Sequence, residues 1–174
     1  MGKMNQNKGF TLIEIVVATG IFSLVSVIAV GAFLISLESQ QAIVAQKTVA
    51  ENVRFALEFS SRQMRFAKSD EAGSCAGAGI FFADGGNSIR FLNSNETCVS
   101  ITLDGERIVY QEGATSAIDL TNVSDVRVTS LNFILNEAGQ QPRVTMIVEG
   151  VSSRDPGLLM RAQTTTTARN IPVG

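Results

Sequence analysis

The 174-residue chain has no histidine, no tryptophan, a single tyrosine, three prolines and two cysteines. Without histidine there is no imidazole general base, no histidine metal ligand and no side chain that switches charge near neutrality unperturbed. Two cysteines are too few for a disulfide-dense scaffold or a four-thiolate metal site. Charge is scarce as well: Asp, Glu, Lys and Arg make up 17% of the residues, against the roughly 25% usual in soluble globular chains. A formal net charge of -2 and a pI near 5.2 argue against a surface coated for nucleic acid, though not against a local basic patch. A hydrophobic content of 45% argues against a wholly disordered chain.

The apolar residues are concentrated at one end. Ile15 to Leu37, IVVATGIFSLVSVIAVGAFLISL, forms 23 consecutive residues without a charge. Its polar members, Thr19, Ser23, Ser26 and Ser36, are small enough to return their hydroxyls to a helix backbone. At 1.5 Å per residue the run spans about 35 Å, close to the roughly 30 Å of a bilayer's hydrocarbon core. Lys3 and Lys8 precede it, and Glu14 is the only charge between Gly9 and Leu37. This positive flank predicts a cytoplasmic N-terminus, with everything after Glu38 outside. A cleaved signal peptide fits poorly: the run is long for an h-region, and SLESQQAIVAQ after it offers only weak cleavage sites. A plain anchor explains the length and the lysines but not Glu14. A carboxylate just inside a bilayer is costly and usually has a partner or a function.

GFTLIE, Gly9 to Glu14, followed at once by the uncharged run, resembles the class III signal of type IV prepilins and of type II secretion pseudopilins. The basic leader, the glycine, the aromatic residue, the glutamate four residues beyond it and the long apolar helix all stand in order. The resemblance implies that a membrane-embedded prepilin peptidase cuts between Gly9 and Phe10 and methylates the new amine of Phe10. It implies that Glu14 neutralises the N-terminal ammonium of a neighbouring subunit in a filament. The implied partners are the prepilin peptidase, other pilin or pseudopilin subunits, the inner-membrane assembly platform and membrane lipid. The implied localisation is the inner membrane, then a pilus or pseudopilus filament. Many family members carry a proline near the position of Gly31, and this chain does not. The physics of Glu14 stands beside the resemblance: a lone carboxylate in hydrocarbon takes a proton or finds a cation, and after cleavage that cation is the Phe10 ammonium four residues away in the same helix or the one of an adjoining subunit. Small residues on the run, among them Ala18, Gly20, Ser23, Ala29, Gly31 and Ala32, permit close helix approach.

Beyond the run, Glu38 to Lys68 contains neither proline nor glycine and is rich in helix formers. Val49, Val53, Ala56, Leu57, Met64 and Ala67 form one apolar stripe at helical spacing, and Phe55, Phe59 and Phe66 a second, both expected to pack in a core. Glu58 with Arg62 and Glu51 with Arg54 are spaced for helical ion pairs. One helix from Phe10 to about Lys68 is expected. From residue 69 the pattern changes. SDEAGSCAGAG reads as a loop, followed by candidate strands Ile80–Ala83, Ser88–Leu92, Val99–Leu103, Arg107–Gln111, Val126–Leu135, Arg143–Glu149 and Leu159–Thr167. Asp84-Gly85-Gly86-Asn87, Asp104-Gly105, EAGQQ with Pro142, and Pro156-Gly157 read as turns. The fold class is α+β and pilin-like: a leader (1–9), a membrane-spanning helix half (10–37), an amphipathic helix half (38–68) and a β-rich head (69–174), with an antiparallel sheet covering the helix.

Cys75 and Cys98 lie outside the membrane by this topology, where oxidising conditions favour a disulfide tying the loop to the sheet. Two free thiols or a metal-binding pair are the alternatives. The aspartates at turns show no regular calcium-ligand spacing. Serines lack a histidine partner, and Lys47 and Lys68 both fall on the helix, so no catalytic constellation emerges. No cofactor and no metal site are assigned. The expected function is that of a structural subunit, read as minor from the early cysteine pair, the many short strands and the likeness of the head and the TTTTARN tail to W- and J-type minor proteins. A DNA-uptake or adhesion subunit is the alternative, and it requires Arg54, Arg62, Arg65 and Arg90 to form one exposed stripe. A simple membrane-anchored extracytoplasmic β-rich domain is a further one.

Overall fold

A computed structural model describes residues 9–136 and 141–169. Most of the leader, the centre of the EAGQQ turn and the end of the tail lie outside the described residues. One helix, α1 (Leu12–Arg65), is followed by eight strands: β1 (Phe82–Gly85), β2 (Ser88–Leu92), β3 (Cys98–Asp104), β4 (Arg107–Glu112), β5 (Ile118–Asp119), β6 (Val126–Asn136), β7 (Arg143–Ser152) and β8 (Leu159–Thr167). The chain divides into two compact units, Met1–Ala42 and Ile43–Gly174.

In the first unit the helix is apolar on all sides and exposed. Ile13, Val16, Phe22, Leu24, Ile28 and Phe33 have no neighbours to bury them. The helix is long and apolar enough to cross a membrane. Thr19 and Ser23 donate their hydroxyls to the carbonyls of Ile15 and Thr19, and Ser26 to that of Phe22, all at 2.8 Å. The polar side chains therefore cost the apolar surface little.

In the second unit, Val49, Val53, Ala56, Leu57, Met64 and Ala67 are buried, as the first stripe predicts. The second stripe is corrected: Phe59 is half-buried and meets the Tyr110 ring edge-on at 5.2 Å, but Phe55 and Phe66 are 56% and 49% exposed. The helix also ends before Lys68. Phe66 and Ala67 tighten into i,i+3 turns on Gln63 and Met64, and the Lys68 N–H donates to the Leu92 carbonyl of β2. Once that amide joins a strand it cannot continue the helical ladder. Neither expected ion pair of this helix half forms, and Glu51 takes Lys47 instead.

The strands form two sheets rather than one cover. Strands β1 to β5 run as an antiparallel meander in chain order, and β6, β7 and β8 form a second antiparallel sheet. The sheets touch where Gly86 and Phe133 exchange backbone hydrogen bonds and where the Val128 N–H donates to Glu106. Ile80 is not part of β1; it bridges to Asp70, so the first strand starts at Phe82. The predicted Asp104-Gly105 turn is present, with Asp104 opposite Arg107 and Gly105 at φ +62°, a conformation that glycine adopts without strain. Inward residues of both sheets, among them Ile89, Phe91, Ile101, Val126, Met146 and Val148, close over the helix stripe in a single core. At roughly 2 kcal/mol for each large side chain removed from water, this burial outweighs the exposed ion pairs.

Candidate functional site

The N-terminal segment begins with Gly9 and Phe10, both exposed, and the helix starts at Leu12. Thr11 occupies the N-cap. Its Oγ1 accepts the Glu14 backbone N–H at 3.4 Å, and its carbonyl accepts the same N–H at 3.1 Å. Thr11-Leu12-Ile13-Glu14 is thus a threonine with glutamate three residues on, the spacing of a capping box. That signal was legible in the sequence and is masked by the more conspicuous GFTLIE pattern. Glu14 and Phe10 line one apolar hollow on the helix, with Ile15, Ala18, Thr19 and Phe22 as its other walls. The exposed lining of the hollow is almost wholly apolar, and Glu14 forms no ion pair among the described residues.

In the head, Cys75 and Cys98 are joined in a disulfide with their Cα atoms 5.4 Å apart. Cys98 opens β3, so the bond ties the glycine-rich loop to the first sheet. Asp70 organises that loop. The side chain is fully buried, and its carboxylate accepts backbone N–H groups from Ser74 (3.1 Å), Cys75 (2.6 Å), Ala76 (2.8 Å) and Gly77 (3.3 Å). Burial pushes its pKa up, but the four amides outweigh burial and hold it down at about 2. Sequence reading placed this aspartate only as loop punctuation. The signal for its role is an acidic side chain followed by small residues whose amides can fold back on it.

A second, partly buried polar cluster joins the residue after β2 to β4. Asn93 donates to Glu112 at 2.6 Å, and the Tyr110 hydroxyl donates to the other oxygen of Glu112 at 3.2 Å. Burial, then the negative charge of Glu112 and this hydrogen bond, push the Tyr110 pKa up to about 12. The cluster is satisfied internally. Among the described residues no group of three or more His, Cys, Asp or Glu side chains is placed to hold a metal ion.

The comparisons with known proteins bear on the first of these sites. The family model of the prokaryotic N-terminal methylation motif matches residues 4–30. This is a type IV prepilin-like signature. Neither the curated proteins nor the solved structures give a match. The prepilin-like segment contains Gly9, Phe10 and Glu14, and the long apolar helix with its antiparallel sheets is consistent with an α+β pilin-like fold. Segment and helix together fit a membrane-anchored subunit of the pilin or pseudopilin type.

The four arginines that a DNA-binding pilin requires stand on two elements, Arg54, Arg62 and Arg65 on α1 and Arg90 on β2. Arg90 lies on β2 and forms a two-pronged ion pair with Asp84, at 2.8 and 2.9 Å. That contact, chiefly its hydrogen bond, lowers the Asp84 pKa and raises that of Arg90. Arg62 and Arg65 instead stand beside Arg169, which follows β8.

Proposed function

We propose that this chain is a structural subunit, in a minor role, of a type IV pilus or a type II secretion pseudopilus. Prepilin peptidase cuts it between Gly9 and Phe10 and methylates the Phe10 amine. The observation that carries this reading is the match of residues 4–30 to the methylation motif, on a helix whose exposed apolar surface includes a single carboxylate, Glu14. Retaining that helix after cleavage gives the mature subunit a membrane anchor, with the N-terminus in the cytoplasm and the head outside. When subunits stack, the same surface becomes the filament core, and Glu14 meets the Phe10 ammonium of a neighbour. A subunit alone in the bilayer lacks that charge pair, so its formation favours assembly and fixes axial register. The cell supplies the peptidase and an assembly platform, and the head performs no chemistry.

Mass spectrometry of the exported protein tests the processing step. A mature chain starting at methylated Phe10 is expected; an intact leader, or a start beyond residue 37, overturns the reading. Glu14→Ala and Glu14→Gln subunits are expected to insert normally yet be depleted from sheared filaments. Recovery at wild-type levels refutes the role given to Glu14.

A further inference from the structure

We infer that the outer edge of β8 and the Arg65–Arg169 corner at its end form one docking track, which binds an extended acidic segment of a partner polypeptide as a fourth strand on the β6–β7–β8 sheet. The inference does not depend on filament assembly.

The edge comes first. Strand β8 is an outer strand of its sheet and pairs with β7 without a register shift from Val151↔Leu159 to Arg143↔Thr167. The next residue, Ala168, donates its N–H to Pro142. Antiparallel pairs alternate between bonded and non-bonded, so Thr166, Thr164 and Ala162 bond to β7 while Thr167, Thr165, Gln163 and Arg161 direct their backbone groups away from it. The Arg169 N–H follows this alternation and donates outward, to the Arg65 carbonyl. The outward groups of Arg161, Gln163, Thr165 and Thr167 have no backbone partner among the described residues. Proteins usually blunt such an edge with brevity, proline, a bulge or charge. This strand is nine residues long, has no proline and no bulge, and its one charge, Arg161, is committed to Glu149.

The corner supplies the second observation. A cavity of about 370 Å³ lies against the end of β8, walled by Arg65, Thr165, Thr166, Thr167 and Arg169. A neighbouring cavity of about 330 Å³ shares Arg65 and Arg169 and adds Arg62, Glu58 and Phe66. Arg143 stands opposite Thr167 in the register. Arg62, Arg65, Arg143 and Arg169 make no ion pair among the described residues, Glu58 included. Thr166 is 4% exposed, and its hydroxyl is buried without a hydrogen-bond partner. A buried unpaired hydroxyl is uncommon. Arg65 and Arg169 flank the cavity, and guanidinium groups are donors suited to a carboxylate.

The two features select the occupant together. A strand edge offers alternating N–H and C=O groups at peptide spacing, which another polypeptide matches and a sugar-phosphate backbone does not. Strand β8 also carries no aromatic ring on which a base could stack. The guanidinium groups select acidic side chains on the incoming strand, and half-exposed Phe66 offers an apolar contact beside them.

Fluorescence anisotropy with the full-length protein in detergent tests this. The probe is a labelled peptide of alternating valine and glutamate, about nine residues long to match an ordinary strand. Saturable binding is expected. It should weaken at least about tenfold in Arg65→Ala/Arg169→Ala, as for loss of charged partners at an interface. It should be lost in Thr165→Pro, which removes an outward N–H while leaving the β7 ladder intact. N-methylating alternate residues of the peptide should abolish binding without altering the protein, so a poorly folded variant does not decide the result. Absence of binding, unchanged binding of the N-methylated peptide, or equal binding of a valine–lysine peptide overturns the proposal. So does tighter binding of a single-stranded oligonucleotide with the same arginine dependence, which would assign the corner to phosphate.

Discussion

The Cys75 backbone N–H donates to the Asp70 carboxylate at 2.6 Å, so the group that folds the glycine-rich loop also fixes the residue from which the disulfide leaves it. Because the folded pKa of Asp70 is about 2 and its ordinary value is 3.8, the unfolded chain takes up this proton first as pH falls. The carboxylate therefore contributes full stability above about 4, and that contribution drains away as pH drops toward about 2. Asp70→Asn should be less stable at neutral pH and should lose this segment of the acid dependence. Urea midpoints measured across the range check it. Parallel acid curves for the two proteins would remove Asp70 as the source.

The disulfide closes a sequence separation of 23 residues. Chain-entropy reasoning assigns such a crosslink about 3 kcal/mol. Cys75→Ser/Cys98→Ser should lower the unfolding free energy of the head by about that amount, with the helix content of the chain nearly unchanged. Denaturant unfolding of the oxidised protein against the double variant measures it. A loss near zero would mean that the Asp70 amide cradle already restrains the loop.

Gly150 on β7 lies against the core where the helix and β6 converge. A Cβ placed there would stand 2.9 Å from Val126 Cγ2 and 3.8 Å from Val53 Cγ2. The backbone at Gly150 is not in the left-handed region, so the obstacle is space alone. Gly150→Ala should cost about 1–3 kcal/mol, as overpacking does. Combined with Val126→Ala it should show favourable coupling in a double-mutant cycle, since the second change removes the obstructing methyl. Strict additivity would place the strain elsewhere.

The stripe from Val49 to Ala67 was readable because period and apolarity agree over several turns, and β2 and β8 were readable to the residue from β-branched content between turn signals. What the sequence left open is how a helix with apolar groups on more than one face chooses which face to bury. Phe59 meets Tyr110 edge-on and is half-buried; Phe55 and Phe66 stay about half exposed. How the two sheets join was equally hidden, because it depends on contacts between Gly86 and Phe133, residues distant in sequence. At the N-terminus the reverse holds. Gly9, Phe10 and Glu14 are legible as a linear pattern, while Asp70 gains its role only from the amides that folding brings near.

Thr11 and Glu14 separate two roles that one glutamate can play. As the third helical residue, Glu14 supplies an N–H to the Thr11 cap and a negative charge to the helix start, both favourable there. In the role proposed above, its carboxylate meets the ammonium of a neighbouring subunit. Thr11→Ala removes the cap acceptor and keeps the charge. With a bond as long as 3.4 Å, the cost should sit near the low end for caps, about 0.5 kcal/mol, visible as faster hydrogen exchange at the Glu14 and Ile15 amides. Glu14→Gln keeps the N–H and removes the charge. If filament incorporation depends on the charge, the glutamine subunit is depleted from sheared filaments and the Thr11→Ala subunit is recovered near wild-type levels. Equal depletion of both would mean that the start of the helix, and not the carboxylate, is what a neighbouring subunit requires.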